Sequence, residues 1–287
     1  MAISDSTTLN DLIGQIVSGE AQSAAYASRI MRNLIRVAEV PSGAGSIVIP
    51  RFTSIAVGAL SEGVGPASTT ISTSGVTLTP DERGTYIQIS KRALHADPFS
   101  DLSPYGDQLG RALASDEDSL ILASATPGSV VNENTTTPAN ITKAHLLEGI
   151  GVLEAANAPG PYFAVFHPTS WAKLRAEIGQ ADTYASVGAR IVEGFGEGIT
   201  NLNGYVGSPF GIPCFISTSV PTVDAGATYQ NLLFAREALG YAVTQDIGVD
   251  VDENVVGRAF DLMGWYAGDA ATLVAEYCVA LEDDVNG

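Results

Sequence analysis

The chain has 287 residues, 14 Lys plus Arg against 32 Asp plus Glu, and a formal net charge of −18. So few cations exclude a protein that grips nucleic acid by neutralising phosphates or docks on anionic lipid. No run of about 18 apolar residues is present, which excludes a membrane-spanning helix, and a hydrophobic content of 45% is enough for one large core or two small ones.

No basic n-region with a long apolar run opens the sequence, so no signal peptide is expected. Cys214 and Cys278 stand in apolar, strand-like contexts. They are expected as two buried free thiols, with a single disulfide left open.

In chain order, Thr8 to Val17 reads as a short amphipathic helix, with Leu9, Leu12, Ile13, Ile16 and Val17 on one stripe. A second helical piece is expected over Glu20 to Ile35. Arg29, Arg32 and Arg36 share a face, and two readings stand for them. They contact another copy or packaged nucleic acid, or they form a solvated, locally paired face. Val37–Val40 and Ser46–Ile49 read as strands around the Pro41-Ser42-Gly43 turn.

From Thr53 to Thr79, fifteen of 27 residues are Ser, Thr or Gly, too polar for a core of its own. Ile55, Val57, Ile71, Val76 and Leu78 still keep a β character, and Ile87 and Ile89 return as a strand. A hairpin arm of about 15 residues would reach roughly 50 Å. That exceeds a radius of gyration of about 19 Å for a compact chain of this length. The arm is therefore expected to lie on another copy, with those five apolar residues buried between chains.

The longest helix is expected over Pro104 to Ser124. Ser103 is a suitable cap, Pro104 fits the first turn, and Leu102, Tyr105, Leu109, Ala112, Leu113, Leu120 and Ala123 form an apolar stripe. Asp116 is read as a carboxylate at the edge of that stripe. Residues 141–240 read as a compact α/β unit. Long strands follow, at Tyr241–Thr244, Gly248–Asp252, Val255–Tyr266 and Thr272–Leu281, expected to pair near the hairpin and the long helix.

The motifs carry no chemistry. His95, His145 and His167 fall in separate elements without metal-ligand spacing. Asp250, Asp252 and Asn254 begin a calcium-loop pattern, but Val255 stands where glycine is needed. Ser170 and Lys173 give S-x-x-K without the companion motifs of serine acyl-enzymes. Gly194, Gly196 and Gly198 have the wrong spacing for a dinucleotide, beside two repelling glutamates. No catalytic, cofactor-binding or metal residue is assigned.

The ordered set of parts resembles the major capsid proteins of tailed double-stranded DNA bacteriophages, the Hong Kong 97 fold family. The matching stretches are Ile49-Pro50-Arg51, Ser61-Glu62-Gly63, Ile87 to Leu94, the long helix, Phe166 to Leu174, Pro209 to Pro213, Phe260 to Tyr266 and Ala275 to Leu281. The resemblance implies an α+β fold with an N-terminal arm (1–45) and an extended β-hairpin loop (46–88). It also implies a peripheral domain (89–140 and 241–287) with a spine helix at about 104–124, and an axial α/β domain (141–240).

It further implies a non-enzymatic structural subunit whose hexamers and pentamers tile an icosahedral shell around DNA. Such a subunit would assemble in the host cytoplasm, with portal, scaffolding and decoration proteins as partners that remain open. No scaffolding segment precedes the arm, so any scaffold is expected to be separate or already removed, and the loop holds no lysine for a crosslink. Two alternatives remain: an encapsulin-type nanocompartment shell, which shares the fold, and a soluble glycosidase-like enzyme.

Overall fold

The computed structural model describes residues 6–41, 43–52, 73–96, 102–133, 139–181 and 204–285. The chain opens with α1 (Ser6–Ser28), a short 3₁₀ turn (Met31–Asn33) and β1 (Arg36–Glu39). Then follow the hairpin strands β2 (Ile47–Phe52) and β3 (Thr73–Leu78), β4 (Asp81–Ser90), α2 (Lys91–Ala96) and the long helix α3 (Ser103–Ala123). The middle of the chain gives β5 (Ser129–Val131), α4 (Lys143–Ala155), β6 (Tyr162–Phe166) and α5 (Pro168–Ala181). After these come β7 (Tyr205–Gly207), β8 (Cys214–Ile216), β9 (Thr222–Val223) and β10 (Thr228–Ala235). Two long strands, β11 (Leu239–Asn254) and β12 (Ala259–Thr272), and the final β13 (Cys278–Asp284) complete the chain.

Two sheets share these strands. The first has the order β1-β11-β12-β4, and the second runs β5-β13-β10-β6-β8-β7 with β9 on β10. On the first, alternate residues split cleanly between faces. Ile87, Ile89, Leu262 and Val249 face inward onto Leu102, just ahead of α3, Leu109 of α3 and Val17 of α1. The second sheet is covered on both faces. Leu146 and Leu153 of α4 and Trp171, Leu174 and Ile178 of α5 pack on one side. Ile121 and Leu122 of α3, with Met31, Leu34 and Ile35, pack on the other. That second cluster also takes in Leu239, Tyr241 and Val243 of β11, so the end of α3 joins the two sheets.

α1 runs unbroken through Gly19, where the sequence suggested two helices. A helical glycine costs about 1 kcal/mol relative to alanine, and burial of Val17, Ala21, Ala24 and Ala25 on one face outweighs it. Residues 17–40, assigned above to an arm, therefore sit in the subunit's own core, with Met31, Leu34, Ile35 and Val40 also buried. The crossing of α1 over α3 is close. A Cβ placed on Gly110 would lie 2.1 Å from the Ala21 carbonyl oxygen, and one on Gly106 2.7 Å from that of Val17. Gly106, Gly110 and Ala114, at four-residue spacing, form the flat strip that admits the other backbone.

Two strand expectations change. The segment 241–252 is one strand, not two. Its ladder with β12 is interrupted by irregularities between Val243 and Gln245 and between Gln245 and Gly248. The C-terminal strand does not join the hairpin. β13 pairs with β10 through Phe234↔Cys278 to Thr228↔Asp284, and in parallel with β5. The reason is its continuous burial from Cys278 to Leu281, which suits the interior of a sheet covered on both faces.

This topology settles the cysteines. Cys278 belongs to one core cluster and Cys214 to the other, on opposite faces of the second sheet. Three strand spacings, about 14 Å, separate their strands, twice the reach of a disulfide. Both are free and buried, and desolvation pushes the Cys278 thiol up to about 12 and that of Cys214 higher still.

Candidate assembly interface

Ile55, Val57 and Ile71, expected to be buried between copies, lie outside the described residues. The base of their hairpin is in place. β2 and β3 pair from Ile47↔Leu78 to Phe52↔Thr73. Leu78, expected at an interface, is instead fully buried against Val40, Ile49, Ala242 and Leu273 of its own subunit. Its side chain points inward because the strand's alternation puts Val76 and Leu78 on the face toward β11. The Thr79 amide donates to Asp269 at 2.8 Å, and Arg51 pairs with Glu276 at 2.8 Å, so the base is anchored at two further points.

Val76 is half-buried, and with Ile49, Arg51, Glu276 and exposed Arg36 it lines a groove of 810 Å³ beside the hairpin base. Two of the expected contact residues, Arg36 and Val76, are thus brought together, 40 positions apart in the chain.

Arg29 and Arg32 go elsewhere. Arg29 is 4% exposed, with its Nε 2.8 Å from Glu117 Oε2 and its Nη2 on Asp246. Arg32 Nη1 lies 2.9 Å from Asp246 and 3.4 Å from Glu117. Within the subunit, these two arginines are locally paired. The irregular stretch of β11 explains the geometry. It turns Asp246 toward α1, where a regular strand would have aimed it elsewhere. Burial raises the proton affinity of Asp246, but hydrogen bonds from Arg29 and the Ile247 amide, with the nearby guanidinium charges, hold its carboxyl down to about 2. Glu117 moves the other way: desolvation pushes it up in spite of Arg29 and Arg32.

Beside this cluster lies Asp118, which composition gave no reason to single out. Its carboxylate accepts the Met31 amide at 2.8 Å and the Ile30 amide at 3.1 Å, tying the start of the 3₁₀ turn to α3. Desolvation raises its pKa to about 7. Asp116, by contrast, is at the stripe's edge, paired with Arg83 at 2.9 Å and accepting from the Tyr266 hydroxyl at 2.7 Å.

Ser170 and Lys173 meet at fully buried Asp283. Ser170 Oγ donates at 2.7 Å, Lys173 Nζ lies at 3.2 Å, and the Ile141 amide donates at 2.8 Å. Their S-x-x-K spacing ties α5, β13 and the entry to α4 together. Among the described residues no three His, Cys, Asp or Glu side chains cluster as metal ligands, and no helix is long and apolar enough to cross a membrane.

The architecture has relatives. The chain is similar to the capsid of the cyanophage P-SCSP1u, with 16% identity, a TM-score of 0.65, and 89% of this chain and 88% of that one covered. It is similar to the capsid of Ralstonia phage GP4, with 10% identity, a TM-score of 0.68, and 90% and 91% covered. The holo-SrpI encapsulin of Synechococcus elongatus PCC 7942 also matches, with 12% identity, a TM-score of 0.60, and 90% and 88% covered. Sequence comparison with curated proteins finds no match. At these identities the likenesses establish an α+β, Hong Kong 97-like capsid fold. The model of the phage capsid protein family matches residues 73–278, more than half of the chain; it belongs to that family, as a structural component of a capsid shell and not an enzyme.

Proposed function

We propose that this chain is the major capsid protein of a tailed bacteriophage, assembling as hexamers and pentamers into an icosahedral shell around double-stranded DNA. The observation that carries this reading is a capsid fold matched over about nine-tenths of both chains, by phage capsids among others. The charge is compatible with it. A coat of net charge −18 does not condense DNA by itself, so the genome would be driven in by work done elsewhere. The extended hairpin, with Val76 and Arg36 at its foot, would lie against a neighbouring copy.

Electron microscopy of the purified protein, and of particles from cells making the whole phage, tests this. Closed shells with five-fold vertices and nuclease-protected DNA are expected. A monomer that stays dispersed at high concentration would sink it. The likeness to the SrpI encapsulin supports a second reading, a nanocompartment assembled in the cytoplasm. Shells that enclose protein cargo and no DNA would decide for it.

A further inference from the structure

The first sheet has one face packed on α3 and α1, and an opposite face on which no element of the described residues rests. The register places three rungs on that open face: Gly84, Trp265 and Gly248; Tyr86, Met263 and Asp250; and Gln88, Asp261 and Asp252. Tyr86 is 56% exposed and Met263 50%. Trp265 is flanked by glycine on both neighbouring strands, and its indole N–H donates to Asp250 at 2.9 Å. Trp, Tyr and Met are the side chains that concentrate in protein interfaces.

The acids around them are held by neutral groups. Asp261 accepts from Gln88 at 2.9 Å and from Asn254 at 3.2 Å, and Asp252 from the Glu253 amide at 2.8 Å. Asp250, Asp252 and Asp261 enter no ion pair among the described residues. The face therefore presents an apolar centre with uncompensated negative charge beside it.

The complement is on the same chain. The β11–β12 turn carries Val255 and Val256, 75% and 98% exposed. Arg258 follows, with a φ of 48°, and its carbonyl accepts the Lys91 amide, which brings Arg92 alongside. Arg92 and Arg258 are exposed and enter no ion pair among the described residues. In a chain of net charge −18, copies repel unless spare cations are set where they meet. Two adjacent valines held out in water, with two unpaired arginines beside them, match an aromatic face ringed by unpaired aspartates. A tip cannot fold back onto the sheet from which it projects, so the match requires a second copy.

We propose that the Val255–Val256 tip of one copy docks on the Tyr86–Met263–Trp265 face of another, with Arg258 and Arg92 set against Asp250, Asp252 and Asp261. The inference rests on the shell reading, because only repeated copies bring a tip to a face. Each contact is small, and a closed assembly repeats it at every subunit.

The test mixes two single-cysteine variants, Val256→Cys on a tagged chain and Met263→Cys on an untagged one, and oxidises the assembled particles mildly. Cys214 and Cys278 are buried and give little background. A disulfide dimer of intermediate mass, exceeding either homodimer several-fold, is expected. Val256→Asp should leave the melting temperature within about 1 °C and cut shell yield at least fivefold. Homodimers of Val256→Cys alone would mean that tips meet tips, and would overturn the proposal. Absence of the mixed dimer, with or without shells, overturns the contact. A mixed dimer without shells overturns the shell reading alone.

Discussion

At the residue scale, Asp118 and the Arg29–Glu117–Asp246 cluster mark where sequence reading stops. A carboxylate on an amphipathic stripe is ordinarily exposed. Whether it is buried depends on what another segment delivers: here the amides of Ile30 and Met31, some 88 positions away. The arginines were legible as a group, but their partners were not, because Asp246 reaches them through an irregularity in a strand. Asp118 has a testable consequence. Its folded pKa, about 7, stands above the ordinary carboxylate value. Its contribution to stability is therefore full at pH values below that ordinary value and is lost as pH rises through about 7. At about 1.4 kcal/mol per factor of ten in proton affinity, the swing is on the order of 2–4 kcal/mol. Thermal melts should show the folded state weakening from pH 5 to pH 8, and Asp118→Asn should flatten that slope. An unchanged slope in the variant would assign the titration elsewhere.

At the element scale, α3 was readable to within one residue at each end, because proline and apolar stripe agree; Ser103, expected as the cap, is instead the first helical residue, and Leu102 takes the cap position without a side-chain hydrogen bond. β13 was misplaced because a short run buried on both faces carries no mark of which sheet it enters. The close crossing of α1 and α3 was not legible either, since glycines within a helix read as defects until the partner backbone is seen against them. Gly110→Ala, which drives a methyl into the Ala21 carbonyl, should lower stability by about 1–3 kcal/mol. Gly151→Ala in α4, with nothing within 4 Å, should raise it by about 0.5–1 kcal/mol. Denaturant titrations of both variants give the comparison, and equal effects would refute the tight crossing. The hairpin divides in the same way. Leu78→Ala should cost about 2–4 kcal/mol because Leu78 is core. Replacing residues 53–72 by a short Gly-Ser link should leave cooperative melting intact and abolish shells. A linked variant that still forms normal shells would remove the hairpin from assembly.

At the scale of the whole molecule, the capsid architecture was legible because it lies in the order of parts, which a sequence of low identity still preserves. The division into regions was less legible, because the segment that follows α1, the end of α3 and both sheets meet in one core cluster. The three lysines are Lys91, Lys143 and Lys173, the first paired with Glu253 and the last with Asp283, and both thiols are buried. Particles boiled without reductant should therefore run as one band near 29.7 kDa, and a ladder of multimers would show covalent links. The position of β13 adds a matter of timing. β13, made after the other described strands, lies between β5 and β10, and its Asp283 fastens Ile141, Ser170 and Lys173. Until it emerges, the second sheet lacks an interior strand and the nascent chain offers its neighbours no finished surface. Copies growing side by side on one messenger RNA are in this way kept from joining until β13 has been made.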